Sequence, residues 1–160
     1  MDKEYIQEMQ EVIPWLIFKL NDNLYTVNSK FITSIVIKPD VITFVPDVPE
    51  YINGLIHLRG NVIPLINLKT LLNITTQETK SVNASESNEN KEMIVVFERE
   101  NSFMGLVVDK VLSVENISSY EETEEIKKMC SSGFVSGVAK GQKSNEVLLV
   151  LDEEKIMSNA

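Results

Sequence analysis

The stretch Gly54-Leu55-Ile56-His57-Leu58-Arg59-Gly60-Asn61-Val62-Ile63-Pro64-Leu65-Ile66-Asn67-Leu68 decides how the rest of the chain is read. Two short apolar runs flank a glycine-containing turn, the pattern of a β-hairpin. Glycine placed first in a two-residue loop suits a type II′ turn, so Gly60-Asn61 is the expected loop. Pro64 has no N–H to give to a ladder and must sit at an edge or a bulge. Upstream, Trp15 to Leu20 and Leu24 to Val27 surround the turn cluster Asn21-Asp22-Asn23, a second hairpin. Ile32 to Ile37 is rich in β-branched residues and stops at Pro39-Asp40; Val41 to Val45 reads as a further strand, stopped by Pro46. Pro46 and Pro49 bracket an acidic loop, and Pro49 can open one helical turn through Tyr51-Ile52.

Downstream, Lys69 to Leu72 reads as a helical turn, and residues 75–91 are almost wholly polar. That segment cannot bury enough apolar surface to offset its ordering entropy and is expected to be a mobile loop. Strands resume at Met93 to Phe97. Phe103 to Val114 reads as one long strand, with a bend at Gly105 or Asp109-Lys110. Thr123 to Cys130 has a helical charge order, with Glu124 and Glu125 early and Lys127 and Lys128 late. Phe134 to Ala139 and Val147 to Leu151 make a last hairpin, and Asp152 to Met157 a closing helix. About ten short strands at the 8–12-residue spacing of sandwiches and barrels predict an all-β fold of two small barrels with a few short helices. So few helices argue against a parallel α/β sheet.

Composition excludes several functions. The chain has 160 residues and a net charge of −9, so it repels phosphate backbones and is not expected to bind nucleic acid. One cysteine, Cys130, rules out an internal disulfide, and one histidine, His57, rules out most histidine-based metal sites. No cofactor is expected: there is no Gly-x-Gly-x-x-Gly, and no glycine is followed by Lys-Ser/Thr. Met1 to Glu11 lacks the basic and apolar regions of a signal peptide. The longest apolar run, Val12 to Phe18, is too short to insert in a bilayer and is broken by Pro14. A cytoplasmic protein is the expectation. A hydrolase on a small barrel would need His57 as base and a serine or cysteine nucleophile, for which no motif is present.

Val45 to Leu68, taken with Gly105-Leu106-Val107-Val108-Asp109-Lys110-Val111 and the hairpin Phe134-x2-Gly137-Val138-Ala139, resembles the CheW family of chemotaxis coupling proteins. The family pattern is a proline-bounded loop, a glycine, an Asn-Leu-Arg-Gly tetrad and Val-Ile-Pro; a Gly-hydrophobic-x-Val-Asp strand follows later in the chain. Three departures stand out: His57 takes the tetrad's asparagine position, Asn67 a later aspartate position, and Ile35 a position often held by glutamate. The resemblance implies two intertwined five-stranded barrels of the Src-homology-three-like type and no catalysis. It implies a scaffold between the regulatory domain of a CheA-type histidine kinase and the cytoplasmic tip of methyl-accepting chemoreceptors, recruited to receptor arrays and not inserted in the membrane. An adaptor of a non-motility pathway, or the coupling half of a receiver-fused adaptor, is the alternative.

The resulting expectations are specific. One domain spans 12–157, with one barrel centred on 36–74 and the other on 14–35 with 92–151. Arg59, with Leu58, Gly60, Val107 and Val108, is expected at the receptor or kinase contact, where a guanidinium can fork onto a carboxylate. Thr33, Ile35, Val36, Ile37, Thr43 and Phe44 are expected at the kinase contact, with an apolar centre because Ile35 replaces a charge. Gly54, Gly105, Gly137 and Gly141 are expected at turns and bends. His57 reads as a strand histidine among apolar neighbours, Cys130 as a small hydrophobe, and the glutamates from Glu121 to Glu125 as a solvated helix start.

Overall fold

The computed structural model describes residues 14–74, 91–121, 125, 128, 133–141 and 146–159. The expected loop at 75–91 and the helix at Thr123–Cys130 fall almost wholly outside these residues. β1 (Trp15–Leu20) and β2 (Asn23–Asn28) form the first hairpin, with Leu20 opposite Asn23 across Asn21-Asp22. A 3₁₀ turn at Ser29–Phe31 follows, capped by the Asn28 side chain, which accepts from the Lys30 N–H. Then come β3 (Ile32–Ile37), β4 (Ile52–Leu58), β5 (Asn61–Asn67) and a one-turn helix Leu68–Leu71. β6 (Met93–Arg99), β7 (Ser102–Val108), β8 (Lys110–Glu115), β9 (Ile117–Glu121), β10 (Val135–Gly141), β11 (Val147–Leu151) and a closing helix Glu153–Asn159 complete the chain.

The strands form a six-stranded sheet, β8-β1-β2-β11-β10-β9, and a five-stranded sheet, β3-β6-β7-β5-β4. Register shifts in β1, β3, β4 and β10 mark the bulges that bend such short sheets. The all-β class with few short helices is as the sequence predicts. The assignment of strands to halves is corrected: β6 and β7, expected with the barrel of 14–35, lie inside the second sheet, between β3 and β5. β9 escaped the apolar pattern because Ile-Ser-Ser-Tyr-Glu is mostly polar. The expected strand Val41–Val45 is a single bridge, in which Thr43 and Leu55 exchange N–H···O bonds of 2.9 and 2.8 Å.

The position of β6 and β7 follows from their side chains. Val95 and Phe97 of β6, and Met104, Leu106 and Val108 of β7, share a core with Leu16, Phe18 and Leu20 of β1, Val27 of β2 and Ile156 of the closing helix. The alternate residues Ile94, Val96 and Val107 join Ile63 and Leu65 in a second core inside the five-stranded sheet. Strands buried on both faces carry continuous apolar runs, and Ile94-Val95-Val96-Phe97 is one. Gly105 sits where β7 presses on that second core. A Cβ there would lie 2.8 Å from Ile94 Cγ2 and 2.9 Å from Leu65 Cδ2. Gly105 is thus a packing residue, not a bend.

The break in the run Phe103–Val114 falls at Asp109, one of the two bends the sequence allowed. There the chain leaves the second sheet and enters the first as β8. The Asp109 N–H donates to the Lys19 carbonyl at 3.1 Å. Its Oδ2 accepts from the Asn21 N–H at 2.7 Å and pairs with Lys69 Nζ at 3.0 Å. One carboxylate therefore ties the β1–β2 turn to the helix that follows β5, across the two sheets. A hydrogen bond to a charged group is worth about 1.5–3 kcal/mol. Asp109→Ala should cost about 2–3 kcal/mol and lower the melting temperature by about 4–12 °C, at roughly 2–4 °C per kcal/mol for this size. Asp109→Asn, which keeps an acceptor for Asn21 but loses the charge facing Lys69, should fall between. Thermal denaturation measures both, and an unchanged midpoint for the alanine variant would show that the pin is dispensable.

Candidate partner-binding face

The tip of the β4–β5 hairpin is Arg59-Gly60, with Leu58 opposite Asn61. Arg59 has φ +52° and Gly60 φ +83°. Positive φ at both central residues is the type I′ turn, whose twist matches that of the flanking strands. This corrects the expected type II′ loop at Gly60-Asn61 by one residue. A Cβ at Gly60 would meet nothing within 4 Å, so glycine serves there for its conformation alone. Arg59 is held in a region that costs a side-chain-bearing residue roughly 1–2 kcal/mol.

The Arg59 guanidinium is not left to solvent alone. Its Nη1 donates to Ser34 Oγ of β3 at 2.9 Å. β3 and β4 are the two edges of the five-stranded sheet, so this bond draws one edge to the hairpin at the other. Beneath it lies a cavity of about 120 Å³, walled by Thr33, Ser34, Leu58, Arg59, Asn61, Ile63, Val96, Glu98 and Phe103.

β3 alternates cleanly. Thr33, Ile35 and Ile37 face solvent, whereas Ile32, Ser34 and Val36 are half-buried. Val36 packs on the second core and so turns away from the expected contact. Ile35 and Ile37 are 37% and 46% exposed, and Val41 and Phe44 of the following segment 84% and 77%. Thr43 is exposed as well. This apolar strip is divided between β3, one edge of the second sheet, and the segment bridged to β4, its other edge, where the Arg59 turn also lies. Natural edge strands usually carry charge or proline instead, and exposed contiguous apolar surface marks contact sites.

Other expected site residues lie elsewhere. Val107 and Val108 are buried, one in each core, because both faces of β7 are covered and strand alternation leaves neither outward. Leu58 is half-buried in the cavity wall. Of the four glycines expected at turns and bends, three sit at bulges within strands and not in turns, and Gly105 is at neither. Gly54 is within β4 at a bulge, and a Cβ there would fall on the Thr43 carbonyl oxygen. Gly137 and Gly141 lie within β10, each at a register shift. His57 is exposed on β4 opposite Val62, not surrounded by apolar neighbours. Cys130 is outside the described residues.

A family model, that of the CheW-like domain, matches residues 14–160. The chain belongs to the CheW family. "Chemotaxis protein CheW" of Treponema pallidum is 26% identical over 144 residues, 89% of this chain and 80% of that one. The match to "Chemotaxis protein CheV3" of Helicobacter pylori is 25% identical and covers 96% of this chain but 45% of that protein. Among solved structures, the scaffolding protein TtCheW of Thermoanaerobacter tengcongensis superposes with a TM-score of 0.70 at 28% identity, covering 88% of this chain and 89% of that one. The Src-homology-three-like fold and the adaptor class read from three separated motifs are thereby established.

Membership gives those motifs physical meaning in this chain. The tetrad that is characteristic of CheW proteins is the Arg59-Gly60 turn with its two preceding residues. The Gly-hydrophobic-x-Val-Asp strand is β7 with the Asp109 pin. Asn67, standing where CheW proteins often have aspartate, caps the helix Leu68–Leu71 by accepting from the N–H groups of Lys69 and Thr70 at 3.1 and 3.3 Å. Asparagine and aspartate cap about equally well, so this departure preserves the local structure. Arg59→Gly keeps the positive φ without strain and removes the guanidinium. The relief is offset by the greater freedom of glycine in the unfolded chain. The variant should melt within about 4 °C of the parent; a much larger loss in thermal denaturation would make Arg59 a residue of the fold.

Proposed function

We propose that the protein couples the cytoplasmic tips of methyl-accepting chemoreceptors to the regulatory domain of a CheA-type histidine kinase, so that receptor state reaches kinase autophosphorylation. The observation that carries this reading is the exposure of large apolar side chains at both edges of the second sheet, Ile35 and Ile37 on β3 and Val41 and Phe44 on the segment bridged to β4, with the Arg59 guanidinium of the β4–β5 turn reaching Ser34 of β3. The strip docks the kinase, with Thr33 and Thr43 at its margin. Arg59 and Gly60 supply a polar anchor beside it, where a fork of N–H donors can meet a carboxylate. Such a scaffold acts by placing its partners and uses no catalytic group or cofactor. Its work is done in the cytoplasm, at receptor arrays it joins through protein contacts. No helix among the described residues is long and apolar enough to cross a membrane, in keeping with that. A second reading, the coupling part of a longer adaptor, draws on the CheV3 match, in which more than half of the relative lies outside the shared segment.

Reconstitution with the cognate kinase and a receptor signalling fragment tests the proposal, with autophosphorylation as readout. The parent should raise receptor-dependent kinase activity and Arg59→Gly should abolish most of that rise. Ile35→Glu would bury an unpaired carboxylate against an apolar partner surface, and should weaken kinase binding at least about 10-fold. Equal or tighter binding of Ile35→Glu would show that the contact is not apolar at its centre. A parent that binds neither partner would overturn the adaptor reading for these components.

A further inference from the structure

The cavity under Arg59 has walls of opposite chemistry. Ile63 and Val96 are buried at its floor, and Leu58 and Phe103 are half-buried at its sides. Two charged groups reach the same small space: Arg59 from the hairpin tip and Glu98 from β6. They do not pair with each other. Arg59 spends one donor on Ser34 Oγ, which leaves the rest of its fork available. Glu98, half-buried opposite Phe103 on β7, has no ion pair or side-chain hydrogen bond among the described residues.

That arrangement discriminates among the side chains a docking partner can insert. A carboxylate would meet Arg59 but be repelled by Glu98. An ammonium or guanidinium would meet Glu98 but be repelled by Arg59. An alkyl group would desolvate both charges and satisfy neither, which is the costly case for polar groups. A primary amide offers an acceptor and two donors on one planar group, so it can accept from Arg59 and donate to Glu98. Its methylene stem would lie on Leu58, Ile63 and Phe103. A space of about 120 Å³ suits one such side chain.

We infer that the Arg59–Glu98 cavity is a socket for an asparagine or glutamine side chain of the kinase regulatory domain. The inference rests on the adaptor reading above. The kinase is the chosen partner because Thr33 and Ser34 of the cavity wall belong to β3, the strand that carries Ile35 and Ile37 of the apolar strip. Ser34 then has a definite part: its hydroxyl positions the guanidinium over the mouth, so that less freedom is lost when the amide enters.

A double-mutant cycle between this chain and the kinase regulatory domain tests the socket, read as dissociation constants by titration calorimetry. Glu98→Met removes the acceptor while keeping volume. Each asparagine and glutamine on the kinase surface is changed to alanine in turn. Glu98→Met should weaken binding of the native kinase domain about 10- to 100-fold, as loss of a hydrogen bond to a charged group does. Against one amide-to-alanine kinase variant the same change should weaken binding less than about 2-fold. Ser34→Ala should weaken binding of the native domain in the same direction, with Ser34→Thr restoring it; this pair stands in for the first variant if Glu98→Met fails to fold. If the parent binds the kinase domain but no amide couples to Glu98 or Ser34, or an aspartate or lysine couples instead, the socket is overturned and the adaptor reading survives. If the parent does not bind at all, the adaptor reading fails and the socket with it.

Discussion

The fold depends on β6 and β7 being covered on both faces. Their alternate side chains divide between the core shared with the six-stranded sheet and the core enclosed by the five-stranded sheet. Neither sheet can therefore be removed without stripping one face of the other. The same constraint accounts for Gly105, since a strand pressed from both sides has no room for a side chain where Ile94 and Leu65 converge. It also gives Asp109 its place: the chain must change sheets directly after β7, and the carboxylate anchors that crossing to the β1–β2 turn and to Lys69.

A rigid, doubly packed centre leaves the edges of the second sheet free for other uses. β3 alternates half-buried and exposed residues, and its exposed set is apolar at Ile35 and Ile37. The Arg59-Gly60 turn is strained at Arg59, and the bond from its guanidinium to Ser34 ties the side chain to β3, the strand that carries Ile35 and Ile37. Strained backbone persists where the surroundings over-determine it, often at sites that bind. Here the determinants are the hairpin register on one side and the β3 hydroxyl on the other.

Much of this was legible in the sequence, for identifiable reasons. Hairpins with strong turn clusters, such as Asn21-Asp22, and β-branched runs, such as Ile32 to Ile37, announce themselves locally. So did the exposure of Ile35, which follows from strand alternation once the partner face is known. What could not be read was set by tertiary contact. The run Val107-Val108-Val111-Leu112 reads as mostly core with some members turned outward to a partner, but Val107 and Val108 are both covered because β7 has no open side. The hairpin loop slipped by one residue because a glycine suits a type II′ turn first and a type I′ turn second, and only the register of β4 on β5 decides. Glu98 and Ser34 gave no signal, since the contact that gives Ser34 its role spans 25 residues of chain.

The central claim is that the edges of the second sheet, β3 on one side and the Phe44 segment with the Arg59 turn on the other, receive the kinase while the doubly covered core stays unchanged. Hydrogen–deuterium exchange of the protein, free and bound to the kinase regulatory domain, addresses it directly. Slower exchange is expected in residues 32–45 and 58–61 on binding, with β6 and β7 equally protected in both states. Protection confined to β8 and β9, the edges of the six-stranded sheet, with residues 32–45 unaffected, would contradict the claim.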